Sequence, residues 1–186
     1  MPNYCANSLK LTATTPANRE LLAKIRAHLG SDEVGIFQLI DPTPAELLDT
    51  RAGYPKDDRE PANIEKFGYA NWYDFQVARW GTKWDAHEIT LINETPDTLL
   101  IEFDTAWSPP VGIYQTLHSM GFEVEATYCE QGCNFVGYWI DGNDHTDELS
   151  KVVPAFYDDE NGFSFDQLEH YFARHCIDHT PPHFGG

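Results

Sequence analysis

A switch of apolar spacing from period two to period three or four occurs twice in this chain, and it fixes a strand-then-helix order at each place. In the first, Leu9 and Leu11 alternate with polar neighbours over residues 5–13, which predicts a half-buried strand. Thr15 and Pro16 then supply a cap and a first helical residue. Leu21, Leu22, Ile25 and Leu29 form one apolar stripe, so a helix is expected over 16–29 with Gly30 as its terminator. In the second, Ile89 and Leu91 mark one strand and Leu99, Ile101 and Phe103 the next. Ser108 and Pro109 start a helix carrying Ile113, Leu117 and Met120, which Gly121 ends. Phe122, Val124, Ala126 and Tyr128 then alternate with polar residues. After a turn at 130–132, Phe135, Gly137 and Trp139 line one face of a partner strand, giving a hairpin with one wet side.

Between the two units lies an insertion over residues 31–85. It carries two helix starts of its own, a capping box at Thr43, Pro44 and Glu46, and an Asn71/Asp74 cap ahead of Trp72, Phe75 and Ala78. The charged run from 50 to 69 that joins them reads as a mobile loop. With 186 residues there is room for one core and an appendage, so a domain over 1–140 is expected, with an extension over 141–186 docked on it. In the extension, Ser164 and Gln167 form a capping box ahead of Leu168, Phe172 and Cys176 at helical spacing, and residues 180–186 should fray. The fold class is therefore α+β.

Charge sets the limits on partners. Residues 1–84 carry 11 acidic and 10 basic side chains, whereas residues 85–186 carry 19 acidic side chains against Lys151 and Arg174 alone. Of those acids, nine lie between Asp85 and Glu130, inside the expected sheet and second helix, with no basic residue among them. The second half is thus a shaped negative surface that repels polyanions, and direct nucleic-acid binding is not expected. No stretch is long and apolar enough to span a membrane, and the start lacks an export-signal pattern, so a cytoplasmic protein is expected. Cys5, Cys129, Cys133 and Cys176 read as reduced thiols. Phosphate-loop, dinucleotide-glycine and nucleophile-elbow motifs are missing, and no cofactor is implied.

Three strings share a further pattern: Pro2-Asn3-Tyr4-Cys5-Ala6-Asn7, Arg79-Trp80-Gly81-Thr82-Lys83-Trp84-Asp85, and Thr105-Ala106-Trp107-Ser108-Pro109-Pro110. With Tyr128, Glu130, Gly132, Phe135 and Gly137 they resemble the Api92-like proteins with a YubB-type ferredoxin-like domain, plasmid and prophage proteins of unknown function. The resemblance spans roughly residues 2–140 and leaves the acidic extension outside. It implies a ferredoxin-like β-α-β-β-α-β antiparallel sheet with the insertion after the first helix, and it carries over no catalytic residue.

Trp80, Lys83, Trp84, Asp85 and Trp107 put large aromatics beside a cation and a carboxylate, a combination that can recognise a flat or charged group. The ordinary reading is packing, with Lys83 and Asp85 latching the insertion to the sheet. Tyr128 and Glu130 are the further lining residues such a site would use. His175 and His179 stand at i, i+4 spacing, the weak candidates for metal; no metal motif accompanies them, and none is assigned. Cys129 and Cys133 read as hairpin packing, and the acidic residues over 141–148 as solvated surface.

Two functions remain. The first is a non-enzymatic accessory binding protein of a phage or plasmid, acting through its acidic surface on a basic host or defence protein, as a nucleic-acid mimic. The second is a small-ligand protein or enzyme with its site between insertion and sheet, around Lys83, Asp85 and Trp107.

Overall fold

The computed structural model describes residues 3–29, 35–153 and 165–181. β1 (Tyr4–Ala13) runs into α1 (Pro16–His28), where the Thr15 hydroxyl accepts from the Asn18 amide as the expected cap. α1 buries Leu22 and Ile25; Gly30, its expected terminator, lies outside the described residues. Among the described residues the insertion holds four helices rather than the expected two: α2 (Ile36–Ile40), α3 (Ala45–Leu48), α4 (Glu60–Phe67) and α5 (Trp72–Trp80). Asn71 caps α5 through the Asp74 amide as expected. The Thr43 capping box does not form. Thr43 instead exchanges bonds with the Gln38 side chain and accepts from Gln76 at 3.2 Å, so α3 starts uncapped at Ala45. The run read as a loop contains α4, with Pro61 in its first turn and Gly68 ending it in the left-handed region.

After the insertion come β2 (His87–Glu94) and β3 (Thr98–Ala106), α6 (Val111–Ser119), then β4 (Phe122–Glu130), β5 (Phe135–Ile140) and β6 (Asn143–Glu148). α6 begins at Val111 because the Ser108 hydroxyl is spent elsewhere, donating to the Gly81 carbonyl at 2.6 Å. α7 (Leu149–Val152) and α8 (Phe165–Ala173) complete the described chain. The six strands form one antiparallel sheet in the order β2-β3-β1-β4-β5-β6. Its first four strands with α1 and α6 give the ferredoxin-like β-α-β-β-α-β arrangement, to which β5 and β6 are added. The acidic stretch after position 140 is thus not only surface: Asp141 and Gly142, both at positive φ, turn the chain into β6. Two register shifts in the β2–β3 ladder mark irregularities in edge strand β2.

Both faces of the sheet's inner strands are covered. Leu9, Leu11, Ile101, Phe103, Val124 and Trp139 point to the helices, with Leu22, Ile25, Phe37, Trp80, Ile113 and Leu117 above them. At the centre of this layer the buried Asn7 side chain donates to the Cys5 carbonyl at 2.7 Å and to Thr105 Oγ1 at 2.9 Å. Its oxygen accepts from the Tyr114 hydroxyl of α6 at 3.1 Å. The hairpin side read as wet stays exposed at Glu123 but is dry toward the turn, where Cys129 and Val136 bury against Leu149, Leu168, Tyr171 and Phe172 of α7 and α8. Leu168 and Phe172 therefore behave as predicted, whereas Cys176 is exposed at φ 61, and Ser164 lies outside the described residues. Among the described residues no helix is long and apolar enough to cross a membrane.

α5 and α6 approach so closely that a Cβ at Gly112 would run into the Arg79 carbonyl oxygen. Gly112→Ala is expected to part the two helices and lower stability by about 2–4 kcal/mol, read from urea unfolding.

Candidate functional site

The residues singled out from sequence do not gather in one place. Trp80 is buried against Phe37, and its indole N–H donates to the Asp41 carbonyl at 2.8 Å. The Lys83 ammonium sits 3.9 Å over the Trp84 ring, and Trp84 and Trp107 are 43% and 46% exposed. Trp107 adopts φ 72, with its amide donating to the Asn3 carbonyl at 3.0 Å. Asp85 turns the other way. Its carboxylate accepts from the amides of Phe37 and Gln38 at 2.9 Å and of Ala86 at 2.8 Å, fastening α2 to the entry of β2. Burial raises the Asp85 pKa, against those amides, which lower it.

Tyr128 and Glu130 lie at other points of the sheet. The Tyr128 hydroxyl donates to Asp144 Oδ1 at 2.6 Å, tying β4 to β6 across β5. The buried Glu130 carboxylate accepts from the Gly132 amide at 2.8 Å and from the Cys133 amide, closing the β4–β5 turn. His175 and His179 are also kept apart: His175 Nδ1 meets the Tyr138 hydroxyl at 3.1 Å, and His179 Nδ1 meets Ser8 Oγ at 3.1 Å.

A cleft of about 430 Å³ opens on the face opposite α1 and α6, between β2, β3 and the end of α8. Ile92, Leu100 and Ile177 give it apolar walls; Glu102, Glu169 and Asp178 give it charge, and His179 lines it too. Period two places Leu100, Glu102 and Asp104 on this side of β3, because Leu99, Ile101 and Phe103 take the helix side. Glu102 has no hydrogen bond or ion pair among the described residues, and burial raises its pKa. Asp104 is pushed up to about 6, by burial first and then by the Glu88 charge, with His87 opposing.

His179 is 7% exposed, and its Nε2 has no partner among the described residues. Burial lowers its pKa to about 4, so the ring is neutral at neutral pH. The Thr127 hydroxyl holds its carbonyl at 3.5 Å. Ligand atoms of Glu125, Asp178 and His179 lie within 4.8 Å of one another, a spacing that suits a metal ion. The place is taken by the protein's own cation, since Lys10 Nζ lies 3.3 Å from Glu125 and 3.4 Å from Asp178.

Sequence reasoning missed this cleft. Its one local signal is the pair of acids at i, i+2 on an inner strand, Glu102 and Asp104, where a buried strand ordinarily carries apolar side chains.

No family model matches this sequence. No curated protein matches it either. Among solved structures, the chain is similar to the crystal structure of a protein Api92 from Yersinia pseudotuberculosis, whose family model is DUF1281. The identity is 12% and the TM-score 0.44, over 80% of this chain and 98% of that one.

Asp85→Ala strands three backbone amides, and a stability loss of about 3 kcal/mol is expected from urea unfolding. Two groups in and beside the cleft give opposite pH trends. His179 is held below its ordinary 6.5, so its contribution is present above pH 6.5 and is lost as pH falls toward 4. Asp104 is held above its ordinary 3.8, so its contribution is present at low pH and is lost as pH rises through about 6. Urea midpoints at pH 8 and pH 4.5 should therefore show His179→Gln flattening the acid loss. Asp104→Asn should stabilise the alkaline side by about 1 kcal/mol.

Proposed function

We propose that this chain is a non-enzymatic binding protein that recognises a basic protein partner through the acidic half of its sheet. The observation that carries the reading is the cleft itself, in which carboxylates from β3, α8 and the segment after it converge between apolar walls, with Glu102 unpaired. The surrounding charge supports it. Arg19 and Arg26 reach the strand β2–β3 turn to pair with Asp97 and Glu94, and Lys10 pairs with Glu125 and Asp178, so cations of the first half are spent at the seams. Carboxylates such as Glu102 and Glu169 remain for a partner to meet.

In this reading the chain is an accessory protein of a phage or plasmid, Api92-like with a YubB-type domain. The partner is a basic host or defence protein, and the acidic face imitates the nucleic acid that its channel takes. The three strings at 2–7, 79–85 and 105–110 support that origin, and four free thiols fit action in the cytoplasm. A ligand site around Lys83, Asp85 and Trp107 is the weaker reading, because Asp85 already serves three backbone amides.

Affinity capture from host lysate at low ionic strength should yield a basic protein whose binding weakens about tenfold or more on raising salt from 50 to 300 mM. Glu102→Gln with Glu169→Gln should weaken that complex more than the equal charge change Glu20→Gln with Glu65→Gln on the near-neutral half. Capture of no basic partner, or equal effects from both pairs, would overturn the reading.

A further inference from the structure

Glu102 and His179 share one deficit. Each is drawn out of water at the cleft, and neither the Glu102 carboxylate nor His179 Nε2 has a partner among the described residues. Both call for a partner, and a carboxylate losing hydration calls for a donor that is cationic. His179 Nδ1 lies 3.1 Å from Ser8 Oγ, which leaves Nε2 as the unmet atom of the ring. Ser8 stands directly across the β1–β3 ladder from Glu102, so imidazole and carboxylate belong to one neighbourhood.

The protein already displays an occupant of the right kind one step away. Lys10 lays its stem on this same face of the sheet and places its ammonium between Glu125 and Asp178. Lys10 is opposite Leu100 on one side and Glu125 on the other; its charge is committed toward β4, and Glu102 is left to something else.

We propose that the cleft receives a primary alkylammonium group, the lysine side chain of a protein partner. Its charge lies against Glu102 and Glu169, and its methylene stem along Ile92, Leu100 and Ile177. This rests on the acidic-face reading and names the group that reading leaves open. The acceptors Glu102 and Glu169 come from two elements, β3 and α8, a spread that suits the divergent donors of an ammonium better than the planar fork of a guanidinium. A cleft of about 430 Å³ is within the small-ligand range of about 300–1,000 Å³.

The test is NMR titration of the full chain with Nα-acetyl-lysine methylamide, followed at the His179 imidazole and the Ile92 and Ile177 methyl groups. Parallel arms use the same probe acetylated at Nε, the arginine equivalent, and spermidine. The lysine probe should give saturable shifts at all three residues, and the neutral probe none. Glu102→Gln should weaken binding about tenfold with an unchanged melting temperature, and Ile92→Ser should weaken it less. No shift from the lysine probe, equal shifts from the neutral probe, or an unaffected Glu102→Gln would overturn the proposal. So would binding of spermidine without the lysine probe, which points to a free amine. A basic protein that is still captured by Glu102→Gln as tightly as by the natural chain removes the lysine anchor and leaves the acidic-face reading standing.

Discussion

β1 is the constraint to which the rest of the structure answers. It is paired along its length with β3 on one side and β4 on the other, and both of its faces are covered. Cys5, Leu9 and Leu11 supply the helix layer, while Ser8 and Lys10 meet the C-terminal segment. Asn7 locks the arrangement from within. Its amide satisfies β1 and β3 backbone oxygens while accepting from Tyr114, so α6 is pinned at one height over the sheet. A buried amide with its bonds met fixes register in a way that apolar packing alone does not.

Where local chemistry decides structure, the sequence was legible. Thr15 and Asn71 cap their helices, and the period-two runs at Leu9–Leu11 and Leu99–Phe103 face the core as their spacing requires. Local signals failed where a distant group outbid the near one. Thr43 turned to Gln38 and Gln76, and Ser108 turned to Gly81. The acidic run after position 140 concealed β6 because five of its six side chains are exposed, and only the Asp141–Gly142 turn announces the strand. The candidate site divides in the same way. The negative sign of the second half is plain from composition, but which carboxylates lose their water depends on Ser8, Glu102 and His179 meeting from distant parts of the chain.

Lys83, Asp85 and Trp107 show how closeness in sequence misleads about chemistry. Lys83 and Asp85 are two residues apart, yet one lies on an exposed indole and the other is sunk into backbone amides. The sheet does the opposite with Lys10 and Asp178, separated by most of the chain and joined at 3.4 Å. Side chains separated by such a span come together only once the C-terminal segment is seated.

The two outer strands bear on how many copies of this sheet can join. An open sheet ordinarily invites another strand onto its free backbone groups. Here β6 carries Asp144, Asp147 and Glu148, so two copies meeting at that edge would bring matching negative charges together. The opposite edge, β2, breaks its register twice and offers no long straight row of amides to copy. Growth of the sheet is thereby checked at both ends by different means, charge at one and shape at the other, leaving the protein free to present a strongly acidic face without stacking on itself.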